Sequence, residues 1–228
     1  MMQPFQLGDI LRCLLLNAPS GTNLACSREG VIDSIKLRNS TLWKETLAQR
    51  RDRITVASWG GRHLEGLASA RVRSGHRAWE IDRLFLAGGP SPNGQGQLLD
   101  FEALVQELIE GIVEATREFR AERFFLRIPH KSPVASLARR AGFSPYFEES
   151  LWEGSVGPLE DGGTAHPEGW REWSPHDSFA LFQLYCSATP QTVRAAVGMT
   201  FDQWSDSQEI HWGRRRDWVT NDNDRIIG

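Results

Sequence analysis

Residues 121–152 read AERFFLRIPHKSPVASLARRAGFSPYFEESLW, and this stretch decides the fold. Phe124, Phe125, Leu126 and Ile128 form a short apolar run of strand length. Ser132 suits a helix N-cap and Pro133 the first helical turn. Val134, Leu137, Ala138 and Ala141 then fall on one helical face. Gly142 supplies the left-handed residue that closes a helix, and Gly142-Phe143 leads into a second strand. The predicted order is buried strand, short capped helix, Gly-Phe step, strand.

Upstream, Phe101–Arg120 is the strongest helix signal. Phe101, Leu104, Val105, Leu108, Ile112, Ala115 and Phe119 keep the 3, 4, 7 spacing, with Asp100 as N-cap. Gly111 costs this helix roughly 1 kcal/mol relative to Ala, which such an amphipathic stripe absorbs. Gly88–Gly96, rich in Gly, Pro, Ser and Asn, reads as a loop. Before it come three strands, Ile54–Trp59, His63–Ser74 and Arg77–Ala87, separated by turns at Gly60-Gly61 and Gly75-His76. They predict an antiparallel meander with Trp79, Ile81 and Leu84 pointing inward. Nearer the start, Phe5–Leu7 is a weak strand and Gly8–Asn17 a helix. Ala18–Gly30 reads as a loop and Thr41–Gln49 as a further helix. Trp43, Trp59, Trp79 and Trp152 are read as core or interface residues of this region. The sum is an α/β (α+β) architecture, a mixed and mostly antiparallel central sheet flanked by helices.

The division that follows is a domain over 1–153, a Gly-, Pro- and acid-rich linker over 154–169, and a second, partial α/β unit over 170–228. In that unit Ser174-Pro175-His176-Asp177 starts a helix on which Phe179, Phe182 and Cys186 share a face. Thr189-Pro190 starts another, ended by Gly198. Thr200 with Gln203 fits a capping box, and Arg216–Thr220 with Arg225–Ile227 flank a hairpin turn at 221–224.

The chain has 228 residues and a net charge of −3, which argues against a dedicated nucleic-acid binder. Cys13, Cys26 and Cys186 form no C-x-x-C pair, so neither a disulfide framework nor a zinc site is expected. A reducing cytoplasm fits best. The apolar run at Ile10–Leu16 is too short to span a membrane, and Arg12 interrupts it. No nucleophile elbow, Walker loop or H-E-x-x-H is present, and Arg214-Arg215-Arg216 reads as a solvated turn.

Helix, three antiparallel strands, long helix, strand, short helix and Gly-Phe step resembles the GNAT superfamily of N-acetyltransferases. The resemblance implies an acetyl-CoA or other acyl-CoA cofactor and an amine acceptor, a small molecule or peptide, attacking the thioester directly. It implies splayed central strands whose backbone N–H binds the acyl carbonyl. The family cradles the CoA pyrophosphate with R/Q-x-x-G-x-G/A at the start of its long helix. Gly94-Gln95-Gly96 matches part of this, with Ser91 where Arg or Gln is expected and the helix signal beginning only at Phe101. The loop is read either as that cradle or as plain surface. Lys131 falls where family members carry a cofactor-contacting Asn, and Ala138 where they carry a proton-donating Tyr. Tyr146, on the expected second strand, is the remaining candidate acid. Glu80 and Asp82 are the candidate bases, or else the solvated face of a half-buried strand.

The order from residue 170 onward resembles the way a GNAT domain begins. The resemblance therefore implies a tandem protein with a degenerate first domain and a second one incomplete at Gly228. The alternative function is a non-catalytic scaffold or dimerisation module, assembling as a homodimer, with activity in the second domain.

Overall fold

Glycine punctuation and β-branched, aromatic runs set the first sheet. In the computed structural model, which describes residues 2–4, 9, 23–26, 52–61, 63–86, 95–150, 152, 169–209, 217–222 and 225–228, the chain divides into two compact units, Met1–Ser144 and Pro145–Gly228. The expected strand at Phe5–Leu7 lies outside these residues, as do the helix at Thr41–Gln49 and all of the Gly8–Asn17 helix but Asp9.

Unit 1 carries a five-stranded sheet in the order β1 (Met2–Pro4), β2 (Arg53–Gly60), β3 (His63–Val72), β4 (Ala78–Leu86) and β5 (Arg123–Leu126). The first three pairings are antiparallel and β4–β5 is parallel, the mixed and mostly antiparallel sheet expected. Gly61, with φ +63°, turns β2 into β3. A bulge interrupts β3–β4: Ser69 faces Arg83 and Ala70 faces Ile81, leaving Asp82 as the extra residue.

One face of this sheet is apolar. Val56, Ala68, Ala70, Val72, Trp79, Ile81, Leu84 and Leu86 are buried there together with Phe101, Val105, Leu108, Ile109 and Ile112 of the long helix α1. Each such helix side chain removed from water contributes roughly 1.5–3 kcal/mol. Trp79 is fully buried, donates from its indole N–H to the His76 carbonyl at 2.8 Å, and meets the Phe119 ring at 5.7 Å.

Helix α1 spans Gln95–Ala115, so it begins six residues before the expected Phe101 and ends before Arg120. Arg117–Phe119 continues as a separate 3₁₀ turn, closed by Arg120 at φ 57°. Asp100 is therefore inside the helix, not its cap. Glycines and polar residues hid the first turn, whose backbone is helical all the same. Gly66 on β3 lets the helix approach closely: a Cβ there would meet Leu108 Cδ1 at 2.8 Å and Leu86 Cδ2 at 3.1 Å.

Helix α2 (Val134–Arg140) follows β5. Pro133 already has helical φ and ψ, and Ser132 Oγ accepts from the Val134 N–H at 3.3 Å. Gly142 at φ +92° ends it, with the Phe143 N–H donating to the Ala138 carbonyl. The expected strand after Gly-Phe does not form: residues 143–150 carry no ladder. Trp152, expected as a core or interface residue, is 91% exposed, Trp59 and Trp79 are buried, and Trp43 lies outside the described residues.

Unit 2 holds β6 (Trp170–Glu172), α3 (Ser178–Ala188), α4 (Gln191–Val197), α5 (Phe201–Asp206), β7 (Trp218–Asp222) and β8 (Arg225–Ile226). Its strands lie in the order β6-β7-β8, all antiparallel, the same neighbour pattern as β1-β2-β3. Its helices hold together through rings: Phe182 lies 5.7 Å from Phe201 and 5.6 Å from Trp204. Only half of the expected capping box forms: Thr200 Oγ1 accepts from the Gln203 N–H at 3.3 Å, while Gln203 Oε1 accepts from the Met199 N–H at 3.1 Å. Arg171 donates twice to Asp177, at 2.7 and 2.6 Å, and Asp177 also accepts from the Ser174 N–H at 2.9 Å.

Gly66→Ala is expected to destabilise unit 1 by about 1–3 kcal/mol through overpacking against Leu108; an unchanged denaturant midpoint would show that α1 is not held at this contact. In unit 2 the Arg171 hydrogen bonds, then the Ser174 N–H, hold the Asp177 carboxyl well below the usual carboxylate range. An unfolded Asp protonates near pH 3.9 and the folded one only at lower pH. The unfolded chain thus binds the proton more readily, and the contribution is full above about pH 5 and is lost as pH falls. Asp177→Asn is expected to flatten the loss of stability between about pH 5 and pH 2, followed by circular dichroism in denaturant; equal slopes in both proteins would remove Asp177 as a cause.

Candidate functional site

The parallel pairing of β4 and β5 is short, running from Ala78–Arg123 to Ile81–Leu126. Beyond Ile81 the Asp82 bulge bends β4, and an opening forms between Asp82–Leu84 on one side and Arg127 on the other. Residues 23–26 occupy it. The Leu84 N–H donates to Asn23 Oδ1 at 2.8 Å, and the Leu84 carbonyl accepts from the Leu24 N–H at 2.8 Å. Asn23 Nδ2 donates to the Asp82 carbonyl at 2.9 Å. On the far side the Cys26 N–H donates to the Arg127 carbonyl at 2.7 Å. Asn23 Oδ1 also accepts from the Ala25 N–H at 3.2 Å, and Ala25 is buried. The Asn23 carboxamide thus acts as a stand-in peptide group, with one acceptor and one donor set against β4. Burial pushes the Cys26 thiol up, and the Arg127 guanidinium pulls it the other way.

The second face of the sheet is charged and buried. Glu80 is 1% exposed and Asp82 4%, so neither lies on a solvated face. Arg53 binds Asp82 through two hydrogen bonds, at 3.0 and 2.8 Å, and reaches Ser69 Oγ at 2.8 Å. Glu80 sits among Arg71 at 3.4 Å, Arg73 at 3.7 Å and Arg127 at 3.4 Å. Arg71 Nε also lies 3.9 Å from Asp82. All four carboxylate oxygens therefore face guanidinium groups. The Arg73 guanidinium stacks 3.8 Å above the Phe125 ring, and burial pushes that of Arg83 down to about 10. The sequence does hold a signal for this array: Arg71 on β3 pairs with Glu80, and Arg73 follows two residues on, just past the end of the strand.

The other predicted site residues are spread along unit 1 and beyond it. Gln95 and Gly96 form the first turn of α1, and Gly94 lies outside the described residues. The first N–H groups of any helix lack intrahelical partners, so this turn, with its one glycine at Gly96, presents donors that an anion can use. Lys131 is exposed, with φ 62°, in the turn before α2 where the Ser132 N–H donates to the Pro129 carbonyl. That left-handed backbone is one Asn adopts more readily than Lys. Ala138 is buried on α2 and has no proton to give. Tyr146 belongs to unit 2 and stacks on Phe147 at 6.5 Å. Residues 23–26, Asn-Leu-Ala-Cys, carried no recognisable signal, being four residues within an expected loop. Among the described residues no group of three or more His, Cys, Asp and Glu can hold a metal ion, and no helix is long and apolar enough to cross a membrane.

No protein-family model matches the chain, and no curated protein matches it. Among solved structures the chain is similar to the GNAT domain of S. lividans PAT, with 16% identity over 65% of this chain and 84% of that one, at a TM-score of 0.45. It is similar to an aminoglycoside 6'-N-acetyltransferase from Acinetobacter baumannii, with 11% identity over 69% and 99%, at 0.43. A ribosomal-protein-alanine N-acetyltransferase from Brucella melitensis gives 12% identity over 68% and 99%, at 0.41. The GNAT-like α/β arrangement of unit 1 rests on its own geometry, a meander joined by a long helix to a parallel fifth strand that splays from the fourth.

Proposed function

We propose that this protein is an acyl-CoA-dependent N-acyltransferase of GNAT type that passes an acyl group to the amine of a small molecule or peptide. The observation that carries the reading is the opening between β4 and β5, which accepts an extended, amide-bearing segment through the backbone of Leu84 and Arg127. The pantetheine arm of CoA is such a segment, and the start of α1 suits its pyrophosphate. The amine nitrogen bonds to the thioester carbon, the C–S bond breaks, and CoA leaves as thiolate. The Leu84 N–H is the donor aimed where the carbonyl oxygen gains charge. Positioning supplies most of the rate. The proton lost by the amine returns to the thiolate through solvent, because the oxygens of Glu80 and Asp82 are engaged by arginines.

A second reading is a non-catalytic scaffold or homodimerisation module in a tandem protein. The filled opening and Ala138 favour it, and the repeat of the β1-β2-β3 neighbour order in unit 2 supports the tandem arrangement.

Calorimetry with acetyl-CoA, and dephospho-CoA beside it, separates the two. Micromolar binding, near −8 kcal/mol, weakened at least tenfold by Gly94→Val with Gly96→Val, is expected. Folded protein that shows no binding up to millimolar acetyl-CoA would leave the scaffold reading standing. Glu80→Gln is expected to cost about 3 kcal/mol of stability by breaking a buried ion-pair array, while leaving the pH profile of turnover unchanged. Loss of the acid-side dependence, where protonation of a base would slow turnover, would make Glu80 the base after all.

A further inference from the structure

The opening between β4 and β5 is closed by the chain itself. We propose that Asn23–Cys26 is an internal strap that competes with the acyl donor for the same backbone groups, and that it must leave before the donor can seat; this rests on the acyltransferase reading above.

Three observations carry it. The strap is bonded on both sides of the opening, to Asp82 and Leu84 of β4 and to Arg127 after β5. A segment serving only to cover a sheet edge would need one side. The strap also uses the Leu84 N–H, the one donor that an acyl carbonyl at this position would need, and satisfies it with a side-chain carboxamide rather than a backbone carbonyl. That choice gives the Asn23 side chain two of the four hydrogen bonds that hold the strap across the opening. Finally, Ala25 is 2% exposed and joins the apolar cluster, with Leu24 packed against it, so the strap is seated in the core.

The closed state therefore leaves no buried backbone group of Leu84 unsatisfied, and the open state without ligand does. Donor binding replaces the strap's hydrogen bonds with its own. Closing is favoured by a few net hydrogen bonds and by the burial of Ala25 and Leu24, so the population able to bind is a small fraction and the apparent affinity is reduced by that fraction.

The test uses acetyl-CoA on the full chain, with calorimetry on the native protein and on Asn23→Ala, and hydrogen exchange of the Leu24, Cys26 and Leu84 amides. The expected result is about tenfold tighter binding by Asn23→Ala, and, in the native protein, faster exchange at Leu24 and Cys26 when ligand is added while Leu84 stays protected. Equal binding by the two proteins, with Leu24 and Cys26 still protected in the complex, would overturn the strap and leave the acyltransferase reading intact. Failure of both proteins to bind would remove that reading and the strap with it. Should Asn23→Ala fold poorly, the exchange measurement on native protein decides alone.

Discussion

Asp82 is one residue more than β3 can pair with, and the rest of unit 1 depends on that mismatch. A bulge bends its strand and sharpens the local twist. Here the β4–β5 ladder ends at Ile81, next to the bulge, and the Leu84 N–H and carbonyl bond to Asn23 and Leu24. It also shifts the side-chain alternation. Ile81 and Leu84 both join the apolar cluster although three positions apart, while Glu80 and Asp82, two apart, share the charged face as plain alternation requires. The opening and the return of Leu84 to the apolar face both lie beside this insertion.

The charged face gives unit 1 an interior that is rigid for a reason other than close packing. A bidentate Arg53–Asp82 contact fixes direction as well as distance, and Glu80 ties β3 to the segment after β5 through Arg71, Arg73 and Arg127. Buried ions are costly to desolvate, so such an array contributes little net stability when intact and becomes expensive only when one member is lost. Its role is to hold β4 and the Arg127 segment at a set spacing while the strands themselves are unpaired.

Much of this was legible in the residues. The meander could be read from Gly60-Gly61, Gly75-His76 and the strands between them, and the end of α2 from Gly142. The start of α1 was not, because Gln95 and Gly96 resemble the loop before them and the apolar stripe begins only at Phe101. The strand expected after the Gly142-Phe143 step does not form, and residues 143–150 find no ladder partner. Alternation put Glu80 and Asp82 on one face, as bases or as its solvated residues, and that face is buried. A period-two reading has no means of weighing arginines on other strands against acids on β4. Asn23 was invisible for a deeper reason: its role is a contact across 61 residues, and nothing local marks it.

Gly66 has a reach well beyond the core. The contact beneath Leu108 is a fulcrum, and the Gln95 end of α1 lies about 20 Å from it at about 1.5 Å per residue. A tilt of about 10° at the fulcrum would swing that end by about 3 Å, roughly the length of one hydrogen bond. The absence of a methyl group on β3 therefore sets the aim of a distant helix tip, so that sequence drift in the middle of the sheet can retune a surface it never touches.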